Sequence, residues 1–263
     1  SPPAPKTYPG GLFNPVAPVR VLDTRNGTGH AGALGSGATI DLDLSGSVPA
    51  AATAVTLNVT AVAPAAAGYL TVYPTGSSPP TASNLNFVPG ETVANLVEVA
   101  LGSGKVSIFN SFGSTDVVAD LAGYTLASAG SGYNPLTPSR LLDTRTGGAP
   151  LGSGASLTLS NLPAGATAVV LNVTATNPSA GSYLTVYPAG GARPTASNLN
   201  FGPGQTVPNR VVVAVGAGGV SIFNAFGSVD VVADLGGWYG ASGASFTGIT
   251  PVRHFWPVLR STA

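Results

Sequence analysis

Cysteine and methionine are absent, and charge is scarce: Asp, Glu, Lys and Arg together make up 8% of the 263 residues. Without cysteine there is no disulfide, no thiol nucleophile and no Cys-ligated metal. Lysine stands only at Lys6 and Lys105, and the formal net charge is zero. A nucleic-acid partner requires a basic footprint to neutralise phosphates, and none is present. The same lack disfavours an anionic membrane surface. No apolar run reaches the length of a membrane span, and no segment carries a capped helical stripe. The chain starts SPPAPK instead of with Met, as a processed, secreted protein would.

Small residues fill the space, including 36 Gly and 23 Pro. They punctuate apolar runs and so read as turns. The dominant feature is duplication. AVTLNVTAV…YLTVYP…PTASNLNF…SIFNSFGSTDVVADLAG over Ala54–Gly123 returns without a gap as AVVLNVTAT…YLTVYP…PTASNLNF…SIFNAFGSVDVVADLGG over Ala168–Gly237. Repetition at this length means two units, each large enough for its own core. The repeat opens FNPVAPVRVLDTR at Phe13 and YNPLTPSRLLDTR at Tyr133, and a third opening, FTGITPVRHFWPVLR, starts at Phe246. The expected organisation is an extended arm over 1–12, a first repeat over 13–125, a linker over 126–132, a second repeat over 133–240 and a tail over 241–263.

Short apolar runs separated by Gly, Pro, Ser and Asn predict strands at Val19–Thr24, Thr39–Leu44, Thr53–Val62, Tyr69–Pro74, Ser83–Phe87, Leu96–Leu101, Lys105–Asn110 and Asp116–Tyr124. Ile40, Leu42 and Leu44 alternate with Asp41 and Asp43; Val55, Leu57 and Val59 alternate with Thr56, Asn58 and Thr60. Period two with one apolar face marks half-buried strands. With no crossover helices, the fold class is all-β: two tandem antiparallel β-sandwiches of Greek-key or jelly-roll style.

The motifs R-x-L-D-T-R, A-V-x-L-N-V-T, Y-L-T-V-Y-P, S-N-L-N-F and D-V-V-A-D-x-x-G-Y/W, in that order, resemble a repeat of secreted proteins of actinobacteria and some other soil bacteria. There it often stands beside hydrolase or peptidase domains, or in tandem. The resemblance spans Phe13 to Tyr239 and implies an extracellular β-rich surface or accessory module. The third opening departs from it, with His254-Phe255-Trp256-Pro257 in place of the L-L-D-T-R run.

Two constellations carry chemistry. Arg20, Asp23 and Arg25, with their counterparts Arg140, Asp143 and Arg145, are conspicuous in a chain so poor in charge. Guanidinium pairs with carboxylate in bidentate fashion. With Asp120 and Asp234 these residues read as a network locking the first strand of each repeat to its last, or as a clamp for an acidic sugar. The second constellation is polar and aromatic. Tyr69, Thr71 and Tyr73, like Tyr183, Thr185 and Tyr187, share one strand face; Asn84 and Asn86, like Asn198 and Asn200, share another. Tyrosine rings stack on sugars and amides bond hydroxyls, so adjoining strands would form a glycan face. Ordinary cross-strand packing is the alternative.

Catalysis finds little footing. Asp116 and Asp120 lie about 13 Å apart on one strand, wider than glycosidase acid pairs or a shared calcium allows. His30 and His254 have no counterpart of each other, no G-x-S-x-G elbow occurs, and Gly102-Ser103-Gly104-Lys105 reads as a hairpin turn. No cofactor and no metal site are expected, a calcium ion held by loop carbonyls staying open. The expectation is a non-catalytic, secreted or cell-surface structural or adhesive protein, assembling head-to-tail through its C-terminal tail. The alternative is a lectin-like module for cell-wall or environmental polysaccharide, and a secreted hydrolase is a remote third.

Overall fold

The computed structural model describes residues 10–247. The first repeat contributes β1 (Leu12–Asp23), β2 (Thr39–Asp43), β3 (Ala52–Val62), β4 (Gly68–Pro74), β5 (Leu85–Phe87), β6 (Thr92–Ala100), β7 (Lys105–Asn110) and β8 (Asp116–Leu126). The second contributes β9 (Gly132–Asp143), a single turn α1 (Thr144–Gly147), β10 (Ser156–Leu159), β11 (Ala168–Thr176), β12 (Ser182–Pro188), β13 (Leu199–Phe201), β14 (Val207–Ala214), β15 (Val220–Asn224) and β16 (Asp230–Gly240). All pairings are antiparallel. Sheets β1-β8-β3-β6 and β2-β7-β4-β5 face each other in the first repeat, and β9-β16-β11-β14 and β10-β15-β12-β13 in the second. The chain is an all-β sandwich pair.

Each sandwich closes on its own core. Leu22, Leu42, Leu57, Leu70, Ile108 and Leu121 are buried in the first, and Leu171, Leu184, Leu199 and Ile222 in the second. The alternation of β2 holds: Ile40, Leu42 and Leu44 point inward while Asp41 and Asp43 meet water. Gly102–Lys105 is a two-residue hairpin turn, with Ser103 and Gly104 both at positive φ, the geometry that matches strand twist.

Three boundaries differ from expectation. β1 begins at Leu12, seven residues before Val19, because its prolines sit where the ladder to β8 slips between Pro15 and Val19 and no amide is required. β6 starts at Thr92 and not at Leu96. The 126–132 segment is not a free linker. Leu126 completes β8, Gly132 opens β9, and Ser131 exchanges both backbone hydrogen bonds with Phe13. Its small residues permit close approach: Gly130, at φ 132, lies against Phe13 and Asn14.

Ser131 belongs to a hub in which the three repeat openings pair cyclically. Phe13 bridges Ser131, Tyr133 bridges Ala244, and Phe246 bridges Gly11, each pair exchanging two backbone hydrogen bonds of 2.8–2.9 Å. Gly11 and Leu12, expected in a loose arm, are therefore held. The tail residues 248–263 and arm residues 1–9 lie outside the described residues.

Candidate functional site at the joint between the repeats

The R-x-L-D-T-R arginine sits on β1 facing away from the core, beside the last strand. Arg20 donates Nε to Asp120 Oδ1 at 2.8 Å and Nη1 to Asp23 Oδ2 at 3.0 Å. Arg25 grips Asp23 bidentately at 2.8 and 2.7 Å. The Arg25 hydrogen bonds hold the Asp23 carboxyl at a pKa of about 2 against the opposing pull of burial, with Arg20 assisting. Burial pushes Asp120 the other way, above the ordinary carboxylate range, in spite of Arg20. Thr24 completes the motif, donating to Asp116 and accepting from the Val117 amide. In the second repeat Arg140 bonds Asp234 and Asp143, and Arg145 bonds Asp143 bidentately, holding that carboxyl at about 2.

The two networks differ in what covers them. The outer face of sheet β1-β8-β3-β6 is roofed by the second repeat, through the loop between β12 and β13 and the edge strand β14. Arg20 Nη2 donates to the Thr195 carbonyl at 2.9 Å, and Asn58 Nδ2 to the Ser197 carbonyl at 2.7 Å. Asn209 Nδ2 returns a bond to Asn58 Oδ1 at 2.9 Å, and the Leu96 amide donates to Asn209 Oδ1 at 3.3 Å. The Ser197 amide favours the charged form of the Asp120 carboxyl. Beside this polar patch, Phe13 packs with Ala168, Val170, Val212 and Tyr239, its ring 4.5 Å from that of Tyr239. Burial, then the negative charge of Glu98, raises the Tyr239 hydroxyl well above its usual range. Arg210 of β14 reaches Glu98 of β6 at 3.6 Å.

The expected glycan face is only partly open, which corrects the reading of it as a platform. Thr71 and Tyr73 are 1% and 5% exposed. Thr71 and Thr185 spend their hydroxyls on the carbonyls of Ala82 and Ala196; Asn84 and Asn198 spend their Oδ1 on the amides of Val72 and Val186. These side chains tie the β4–β5 and β12–β13 connections to their strands. Tyr187 is half-buried. What stays accessible is Tyr69 with its cross-strand neighbour Asn86, and Tyr183 with Asn200.

In the second repeat that remnant opens onto the joint. A cleft of about 310 Å³ is lined by Arg20, Arg25, Tyr183, Arg193, Ser197 and Asn200, and an adjoining one of about 230 Å³ shares Arg20, Arg25, Ser197 and Asn200 and reaches Thr60. Thr60 Oγ1 is buried without a hydrogen-bond partner among the described residues. Arg193 lies over the Phe223 ring at 3.7 Å, a cation–π placement. Sequence reasoning did not find Arg193, whose counterpart in the first repeat is Pro79, nor Asn209. The signal for the latter was available: Asn95 and Asn209 are identical polar residues within an apolar strand.

Among the described residues no group of three or more His, Cys, Asp or Glu gathers, and no helix is long and apolar enough to cross a membrane. His30 is exposed on the loop after β1, and His254 lies outside the described residues.

No protein-family model matches the chain, and no curated protein matches it. Among solved structures it is similar to the STIV MCP, with 10% identity, 87% of this chain and 96% of that one covered, and a TM-score of 0.24. A structure from Sulfolobus Turreted Icosahedral Virus is 8% identical, with 88% and 91% covered and a TM-score of 0.24. The CBM22-1–CBM22-2 tandem domain from Paenibacillus barcinonensis Xyn10C is 11% identical, with 92% and 97% covered and a TM-score of 0.23. At such TM-scores these likenesses carry no argument about what this chain does.

Proposed function

We propose that this chain is a non-catalytic structural or adhesive component of the bacterial exterior, built from repeats whose signature residues serve to pack one repeat on another. The observation that carries the reading is the joint. Arg20, Asn58, Asp120, Thr195, Ser197 and Asn209 all belong to motifs repeated in both copies, and in the joint their polar groups meet each other. No nucleophile–base pair stands beside them. The scarcity of charge supports the same reading, since little self-repulsion opposes close association. The test is fractionation of the producing cells with an antibody to the chain, followed by light scattering and negative-stain microscopy of the purified protein. Recovery from the envelope or medium, with ordered assemblies forming without ligand, is expected. A cytoplasmic protein that stays dispersed at every concentration overturns it.

A second reading is favoured by the joint cleft. Three guanidiniums, a tyrosine ring, an asparagine amide and the unpartnered Thr60 hydroxyl suit a polyhydroxylated ligand bearing a carboxylate. Binding of uronic-acid oligosaccharides that is lost on Tyr183→Ala and Arg193→Ala, with folding intact, would establish it; an empty glycan array would remove it.

A further inference from the structure

The hub has a property that neither sandwich has alone: it counts to three. The correspondence that carries the first repeat onto the second carries the segment Gly11–Phe13 onto Ser131–Tyr133. It also carries Ser131–Tyr133 onto Ala244–Phe246, and the last segment pairs back to the first. The side-chain contacts repeat in step. Asn14 donates to the Ala129 carbonyl and Asn134 to the Ser242 carbonyl, each at 2.8 Å. A Cβ added to Gly130 would meet Asn14, one on Gly243 would meet Asn134, and one on Gly10 would meet Thr247. Three such steps close a ring. Two of its places hold the sandwiches; among the described residues no sandwich follows the third segment.

Both flanks of that third place display the halves of the joint already described. On the second repeat, Arg140, Asn172 and Asp234 stand where Arg20, Asn58 and Asp120 stand on the first. Asn58 is 3% exposed, whereas Asn172 is exposed and, among the described residues, makes no side-chain hydrogen bond. The arginine side chain goes from 20% exposed at Arg20 to 47% at Arg140, and the aspartate from 3% at Asp120 to 26% at Asp234. Arg140 Nη2, whose counterpart holds the Thr195 carbonyl, has no partner among the described residues. On the first repeat, Thr81, Ser83 and Asn95 stand where Thr195, Ser197 and Asn209 stand on the second. Asn95 donates to the Asn84 carbonyl, as Asn209 does to that of Asn198, and its other contacts are unmade. The Arg–Asn–Asp and Thr–Ser–Asn halves of the joint are thus present a second time, and among the described residues their contacts across the joint are unmade; the Arg210–Glu98 pair is not repeated, Leu96 and Val212 standing in its place.

The geometry points to the third place as a docking site for one more domain of this same repeat fold. The inference rests on the structural reading above and names its partner. A complete second copy of this chain does not fit. With its first sandwich in the third place, its second would fall on the place that this chain's first sandwich already holds. The fitting partner is a single sandwich presenting the T-A-S-N edge loop to Arg140, Asn172 and Asp234, and an Arg–Asn–Asp face to Thr81, Ser83 and Asn95.

The test titrates the full chain with a probe of residues 14–126. That stretch holds every residue of the first core and none of the second, and it leaves the hub segment to Phe246. Its folding is checked by a cooperative thermal melt. Calorimetry and sedimentation velocity should show a complex of one probe per chain. Asn172→Ala with Arg140→Ala in the chain should weaken it at least tenfold, while His30→Ala leaves it unchanged. A folded probe that does not bind overturns the inference, as does binding indifferent to Asn172. Self-association of the chain alone that requires Asn172 also overturns it, making a whole second copy the occupant. So does probe binding that appears only after removal of residues 248–263, which makes the chain's own tail the occupant. If the probe fails to fold, residues 14–126 are appended after Thr247 in one chain; amide protection gained around Asn172 supports the docking site and unchanged exchange refutes it. The structural reading is tested by fractionation and microscopy, so either result stands without the other.

Discussion

Asn58 and Asn172 are the same residue in the same motif on the same strand, and only one of them is covered. Replacing each by alanine therefore makes an internally controlled measurement of the joint. Asn58→Ala removes the bond to the Ser197 carbonyl at 2.7 Å and the one accepted from Asn209 at 2.9 Å. It strands a carbonyl and an amide hydrogen in a buried place. At roughly 1–3 kcal/mol for each buried group left unpaired, and allowing for Asn209 keeping its bond to Asn198, the expected loss is about 2–4 kcal/mol. Asn172→Ala removes no side-chain hydrogen bond among the described residues and should stay within about 0.5 kcal/mol of the parent. Urea unfolding followed by tyrosine and tryptophan fluorescence measures both. Because the contact is between repeats, the Asn58 variant should also separate the transition into two, with Trp238 reporting the second sandwich. Equal losses at the two positions, or a loss below about 0.5 kcal/mol at Asn58, would refute the joint as a stabilising contact.

Three further outcomes are expected. Arg20→Lys, which cannot span Asp120, Asp23 and the Thr195 carbonyl at once, should destabilise the chain more than Arg140→Lys, by about 1–2 kcal/mol in the same unfolding assay. The depressed pKa of Asp23, about 2 against 3.8, makes its contribution fully present above pH 4 and lost as pH falls through about 2. The stability gap between the parent and Asp23→Asn should accordingly be widest, about 2 kcal/mol, near neutral pH and shrink toward pH 2. Gly123→Ala drives a methyl into the Phe13 ring and the Asn14 carbonyl. It should cost about 1–3 kcal/mol, with Phe13→Leu in the same chain restoring part of the loss.

How much of this was legible in the sequence differs strand by strand. In β2 the alternation of Ile40, Leu42 and Leu44 with two aspartates states both faces correctly, because one side meets a core and the other meets water. In β3 the same pattern misleads. Thr56, Asn58 and Thr60 read as the wet face, yet each is 3% exposed; Asn58 is bonded to Ser197 and Asn209 of the second repeat, and Thr60 lines the cleft shared with it. Their counterpart Asn172 is wet as the pattern says. Alternation reports what a strand does within its own sheet and is silent about what docks on that sheet from outside. The arginine–aspartate networks were legible because charges are so few that each has few partners to choose from. The polar-aromatic face was over-read: Thr71, Thr185, Asn84 and Asn198 look like ligand groups in sequence but satisfy nearby loop backbone. The triple opening was visible as text, but its cyclic pairing joins residues more than a hundred positions apart, beyond any local signal.

The Gly11–Phe246 bridge sets how the molecule responds to tension. The described chain enters and leaves at neighbouring points of one antiparallel pair, so a pull applied through both ends meets the bridge before either sandwich. The two strands part in the unzipping direction, where bonds open one after another and not in concert, so the hub yields at low load. Only then does the pull reach the edges of β1 and β16. A chain anchored at both ends would act as a clasp: short and stiff at rest, and suddenly longer once the clasp opens.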